Sequence, residues 1–192
     1  MLESIPLWCY IIPYILHIYI VYNVTQKSMT KYNKQNLYDI IASNTPNLNK
    51  FSECVNYLML LLWIPFIKSF TIPPLISLFK YVSVIFLLRS ILVNVTILPS
   101  CNSEKCTNYE GLYKYIFGHC NDKILSGHIS IGILLLYLMN KYELVNYFWS
   151  NFYIVLLFIL SILIVAVRWH YTIDVLFAYI ITLFLIYLYP DL

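Results

Sequence analysis

The sequence predicts an all-α polytopic membrane protein, a single domain over residues 1–192 built as a bundle of six transmembrane helices. Two observations predict it. Hydrophobic residues make up 61% of the 192 positions and charged residues 11%, at a mean hydropathy of +0.74, whereas a soluble domain carries about 25% charged residues. Too few charges are left to cover a water-exposed surface. The uncharged runs are also long, approaching the roughly 20 apolar residues that a helix needs to cross a ~30 Å hydrocarbon layer. With 12 Lys+Arg against 9 Asp+Glu and no basic tract, the composition excludes a nucleic-acid binder, a disordered chain and a conventional cytosolic enzyme.

Taken in order, residues 5–24 carry no formal charge and form the first expected span. No basic segment precedes this run and no small-residue cleavage site follows it, so it is expected to stay as a mature span. Residues 55–70, with Lys68 near the end, form the second, and 75–98, holding Lys80 and Arg89, the third. The fourth is short, about 126–142. Residues 149–167 hold no charge and form the fifth, and 171–189, interrupted only by Asp174 in the first turn, form the sixth. Two polar connections, 25–53 and 99–125, are long; those near Thr71, Asn146 and Arg168 are short. Six spans place both long connections and the Arg168 turn on one side of the membrane.

Two indications of orientation conflict. That side carries Lys27, Lys31, Lys34, Lys50, Lys105, Lys114, Lys123 and Arg168, against Lys68 and Lys141 opposite, and the excess of positive charge points to the cytoplasm. Cys101, Cys106 and Cys120 cluster in the second long connection, which suits a disulfide in an oxidising lumen. Unpaired thiols fit the same cluster equally well. Cys9 and Cys54 read as small buried hydrophobes.

Ionisable groups within spans are costly, so each is a candidate for function. His170 and Asp174 stand four residues apart and share one helix face. A carboxylate so placed can hold an imidazole in one tautomer and stabilise its cation, although a structural ion pair closing the helix end has the same spacing. Ser126-Gly127-His128 opens the fourth span, where free backbone amides and the helix dipole favour an anion such as phosphate and glycine permits close approach. The fourth span crosses the membrane and the fifth returns, so His128 and His170 lie near the same face. Arg89 lies nine residues before Leu98, about 13 Å along the helix at ~1.5 Å per residue. It either snorkels to that face or meets an anion.

These residues carry a resemblance. Cys120-Asn121-Asp122-Lys123-Ile124-Leu125-Ser126-Gly127-His128-Ile129 resembles the Cys-Gly-Asp-x-x-x-Ser-Gly-His-Thr motif of the sphingomyelin synthase family, with Asn121 and Ile129 as departures. His170-Tyr171-Thr172-Ile173-Asp174-Val175-Leu176-Phe177-Ala178-Tyr179 matches the family's His-Tyr-Thr-x-Asp-Val-x-x-Ala-Tyr at every specified position. Arg89 with Thr96-Ile97-Leu98-Pro99 resembles a further motif, and Asn36-Leu37-Tyr38-Asp39 a degraded Pro-Leu-Pro-Asp. The family lies within the wider type 2 phosphatidic acid phosphatase superfamily. The Lys-x6-Arg-Pro and Ser-Arg-x5-His-x3-Asp motifs of that superfamily's phosphatase branch are not found.

The resemblance implies a catalytic region at about residues 80–190 and a transferase that moves phosphocholine, phosphoethanolamine or phosphoinositol from a glycerophospholipid to ceramide, releasing diacylglycerol. It implies His170 as nucleophile, Asp174 as its orienting partner, and His128 as acid and then base. Arg89, Ser126 and Gly127 are implied as phosphate ligands, with Asp122 and Tyr171 as supporting residues. No metal or other cofactor is expected. The expected partners are membrane lipids, a phospholipid donor and a ceramide acceptor, and not nucleic acid. In a eukaryote the implied site is exoplasmic, in the Golgi, the endoplasmic reticulum or the plasma membrane, against the indication of the lysines. Two other classes fit the same residues: a lipid phosphate phosphatase with the same His/His/Asp site, and a non-catalytic membrane scaffold.

Overall fold

Backbone amides and carbonyls without water must bond within the chain, and a continuous helix does so along its whole length. In a computed structural model, which describes residues 6–31, 37–69, 72–96, 98, 101 and 124–192, each uncharged run is helical. The helices are α1 (Ile11–Lys31), α2 (Ile40–Asn44), α3 (Glu53–Ser69), α4 (Ile72–Val95), α5 (Gly127–Lys141), α6 (Tyr147–Ala166) and α7 (Thr172–Leu188). Among the described residues there is no strand. Short α2 stands inside the first polar connection, where no helix was expected.

Asn49–Lys68, Ile72–Val95 and Tyr147–Ala166 are long and apolar enough to cross a membrane, while the apolar stretches Leu7–Asn23 and Thr172–Leu188 are shorter. Helix α5 has 15 residues, about 23 Å of rise. Among the described residues, three of the six expected spans therefore reach full length. For α5 the reason is its place: it packs against α3, α4, α6 and α7. Ile129, Leu134, Leu135, Leu138 and Met139 along it are fully buried. A helix packed in protein has no need to match the thickness of the lipid around it.

Helix α1 rides on α4, and polar side chains fix the pair where apolar packing against lipid-like surroundings discriminates little. Ser83 Oγ donates to the Tyr10 carbonyl (2.7 Å), and Ser90 Oγ donates to the Phe86 carbonyl (2.7 Å) while meeting His17 Nδ1 at 2.9 Å. The outward faces of α6 and α7 are apolar, with Val155, Phe158, Ile162, Ile180 and Phe184 exposed. Tyr147, Phe148 and Trp149 are exposed at the start of α6. An apolar belt ending in aromatics is the arrangement a membrane-embedded surface takes.

The turn from α6 to α7 positions the chemistry. Arg168 adopts a left-handed conformation, φ 61°. Trp169 N–H reaches back to the Ile164 carbonyl (3.1 Å) and Arg168 N–H to that of Val165 (3.0 Å). This pair of bonds is a Schellman closure, normally made with glycine at the left-handed position. It stops α6 abruptly and delivers His170 to the mouth of α7.

Candidate active site

Tyr171 caps α7, which puts Asp174 at its third position. The Asp174 carboxylate is fully buried and accepts the Tyr171 N–H through Oδ2 at 2.9 Å, while His170 Nδ1 lies 3.3 Å from the same oxygen. An ionised carboxylate only accepts, so the proton between them belongs to Nδ1 and the lone pair to Nε2. The helix N-terminus favours the negative charge of Asp174. His170, 6% exposed, is thereby a buried imidazole held through Nδ1 by Asp174.

Helix α5 starts at the same end of the bundle. Its cap, Ser126, donates its N–H to the Asp174 carbonyl (3.3 Å), which ties the two helix starts together. Ser126 is fully buried and its hydroxyl makes no capping bond. Among the described residues that hydroxyl has no hydrogen-bond partner. Gly127 follows with a specific reason to be glycine: a Cβ built there would stand 2.9 Å from Arg89 Nη1. The guanidinium of α4 therefore lies on the first turn of α5. Arg89 thus stands beside Gly127, one of the residues expected to meet the anion with it. His128 is half-buried, with its ring centroid 5.5 Å from that of Trp169, the residue before His170.

A cleft of about 180 Å³ opens on His170 from the polar side, lined by Leu37, Asp39, Cys101, Arg168 and Tyr171 among others. Its wall is the segment 37–45. Tyr171 Oη accepts the Leu37 N–H (3.2 Å), and Arg168 donates through Nη2 to the Thr45 carbonyl (3.0 Å). Asp39 caps α2 by accepting the Ala42 N–H (3.0 Å) and also takes the Thr172 N–H (2.6 Å) and the Thr172 hydroxyl (2.8 Å). Burial alone would raise the Asp39 carboxyl, but donors from Ala42, Thr172 and Ile41 outweigh it and hold the group below the usual carboxylate range.

The sequence-predicted residues thus fall out as follows. His170 and Asp174 are in contact, Arg89 and Gly127 are in contact, and Ser126 joins the two groups. His128 reaches this cluster through Trp169, and Tyr171 serves both α7 and the cleft wall. Asp122, Cys106 and Cys120 lie outside the described residues, and Cys101 lines the cleft. Among the described residues no group of His, Cys, Asp and Glu is arranged to hold a metal. Sequence reasoning gave Asp39 no role at the site; its signals are its place at the end of the degraded Pro-Leu-Pro-Asp motif and an acidic cap before Ile40-Ile41-Ala42.

The buried His–Asp pair lies beside the start of α5, where Arg89 also stands. A family model described as PAP2 superfamily C-terminal matches residues 119–191, the stretch that holds α5, α6, α7, His128 and His170. The match supports the type 2 phosphatidic acid phosphatase superfamily and lipid phosphatase or phosphotransferase-type chemistry on membrane lipids. A comparison with curated proteins finds none that matches the chain.

Proposed function

We propose that this protein is a lipid phosphotransferase that moves a phosphorylated head group from a glycerophospholipid to ceramide through a phosphohistidine on His170. The observation that carries the proposal is the contact of His170 Nδ1 with the buried Asp174, beside an α5 start on which Arg89 lies. The agreement of residues 170–179 with the sphingomyelin synthase motif supports the transferase over other phosphoryl chemistry.

In this mechanism Nε2 of His170 attacks phosphorus, and the bond from phosphorus to the diacylglycerol oxygen breaks as protonated His128 gives that oxygen its proton. Asp174 stabilises the charge that appears on the His170 ring. Neutral His128 then takes the proton of the ceramide primary hydroxyl, whose oxygen attacks phosphorus. The phosphorus–nitrogen bond breaks and His170 returns to its starting state. Arg89, the Ser126 hydroxyl and the first amides of α5 hold the phosphoryl oxygens, where fixed donors in a water-poor site stabilise developing charge. The site is exoplasmic in this reading.

Purified protein supplied with labelled ceramide and phosphatidylcholine should form sphingomyelin, and His170→Ala should abolish the product. Release of inorganic phosphate from phosphatidic acid with no ceramide product would replace this reading by a phosphatase, the alternative that the superfamily match itself supports. Equal yield from wild type and His170→Ala would leave a scaffold.

A further inference from the structure

The turn that carries His170 is held from outside. Arg168, two residues before the histidine, is tied to Thr45, and Thr172, two residues after it, is tied to Asp39. Tyr171 accepts from Leu37 between them. All three ties end on the segment 37–45, which lies outside the 119–191 stretch matched by the family model. The firmest is Asp39, because one carboxylate takes both donors of Thr172 and also caps α2.

Two helices begin at this end, and each N-terminus can receive an anion. At α7 the anion is already present: Asp39 occupies the Thr172 N–H with a charge-assisted bond at 2.6 Å. At α5 the start is crossed by Arg89 and carries the Ser126 hydroxyl, which has no partner among the described residues. A phosphate arriving at the cleft is therefore refused at α7 by like charge and accepted at α5.

We infer that Asp39 is a positioning residue that clamps the start of α7, fixing where His170 stands and steering the substrate phosphate to the start of α5. This rests on the phosphotransfer reading of the site and adds to it a control that comes from the other half of the chain. The clamp acts through Thr172, so Asp39 touches neither phosphorus nor the attacking nitrogen.

The test uses the full-length protein in nanodiscs, with Asp39→Ala, Asp39→Asn, Thr172→Val and the Asp39→Ala/Thr172→Val double variant. Turnover is read by sphingomyelin formation or phosphate release, whichever the wild type performs. A small displacement of a reacting group costs up to about a hundredfold in rate. Each single removal should therefore lower kcat about 10–100-fold with KM within about threefold. The double variant should be no slower than the slower single variant, because Asp39→Ala already removes both bonds to residue 172, of which Thr172→Val removes only the hydroxyl's. Asp39→Asn should recover at least about tenfold of the loss, since an amide can accept from the Thr172 N–H while donating to its hydroxyl. A merely structural role would lower melting temperature and leave these ratios untouched. A second readout is independent of activity: alkylation of Cys101 by N-ethylmaleimide, resolved by peptide mass spectrometry. Release of the cleft wall should speed it several-fold in Asp39→Ala and Thr172→Val. Wild-type kcat in Asp39→Ala, or fully multiplicative losses in the double variant, would overturn the clamp. If the wild type turns over neither lipid, the phosphotransfer reading fails separately, and an unchanged Cys101 rate then overturns the clamp on its own.

Discussion

Gly127→Ala separates the chemistry of the site from its stability. The added methyl would stand 2.9 Å from Arg89 Nη1 and 3.9 Å from Cζ. The first distance is too short to persist, and the obstacle is the far end of a flexible side chain, so the guanidinium moves rather than the helix. Alanine is also a better helix former than glycine by up to about 1 kcal/mol. Folding should therefore be unchanged or slightly favoured. The guanidinium, however, leaves the place where it would meet a phosphoryl oxygen. Loss of one fixed donor to a developing oxyanion costs about 2.7–4 kcal/mol, 10²–10³ in kcat. A displaced donor keeps part of its effect, so a 10–100-fold fall is expected, or about 1.4–2.7 kcal/mol at 1.36 kcal/mol per tenfold. Initial rates of head-group transfer to labelled ceramide, measured beside thermal unfolding of the same preparations, give both numbers. Wild-type kcat in a normally folded Gly127→Ala protein would refute the placement of Arg89 in the phosphate site.

Three further outcomes follow from particular contacts. Asp174→Asn keeps the shape and leaves an amide oxygen to accept from the Tyr171 N–H and His170 Nδ1, but removes the negative charge that stabilises the His170 cation; kcat should fall by up to about 10⁴, the size seen when a triad aspartate is so changed, with the helical circular dichroism signal intact. Thr182 is fully buried in α7 and, among the described residues, its hydroxyl has no partner. Thr182→Val removes a desolvated polar atom and should leave the melting temperature unchanged or raise it, by up to about 1 kcal/mol of stability. Asp39 has its carboxyl held low in the folded protein, so its contribution to stability is fully present above the ordinary carboxylate pKa and is lost as pH falls through the lower, folded value. Acid unfolding should accordingly begin at higher pH in Asp39→Ala than in wild type.

The helices were legible because each is a local pattern. The runs 55–70, 126–142 and 149–167 became Glu53–Ser69, Gly127–Lys141 and Tyr147–Ala166. The shortness of α5 was legible too, in the run 126–142; its place among α3, α4, α6 and α7 was not, because no single run contains that packing. The His170–Asp174 pair was readable for the same local reason, as four residues on one helix face meet whatever the rest of the chain does. Arg89 was ambiguous from sequence, because snorkelling and phosphate contact place the same residue at the same depth. That Arg89 stands against Gly127 is a matter of how α4 packs on α5, which no local pattern contains. Asp39 and Thr172 are separated by 133 positions, and α2 spans five residues, too few for a periodic signal. The clamp is a tertiary fact with little local trace.

The central claim is a covalent head-group phosphate on His170. Protein incubated with a phospholipid carrying radiolabelled phosphorus, without ceramide, then quenched in alkali and digested, tests it directly. The account predicts acid-labile, alkali-stable label on the peptide containing His170, absent from His170→Ala and discharged when ceramide is added before quenching. Lipid product formed at the normal rate with no labelled His170 at any time, or label held on His128 instead, would contradict it.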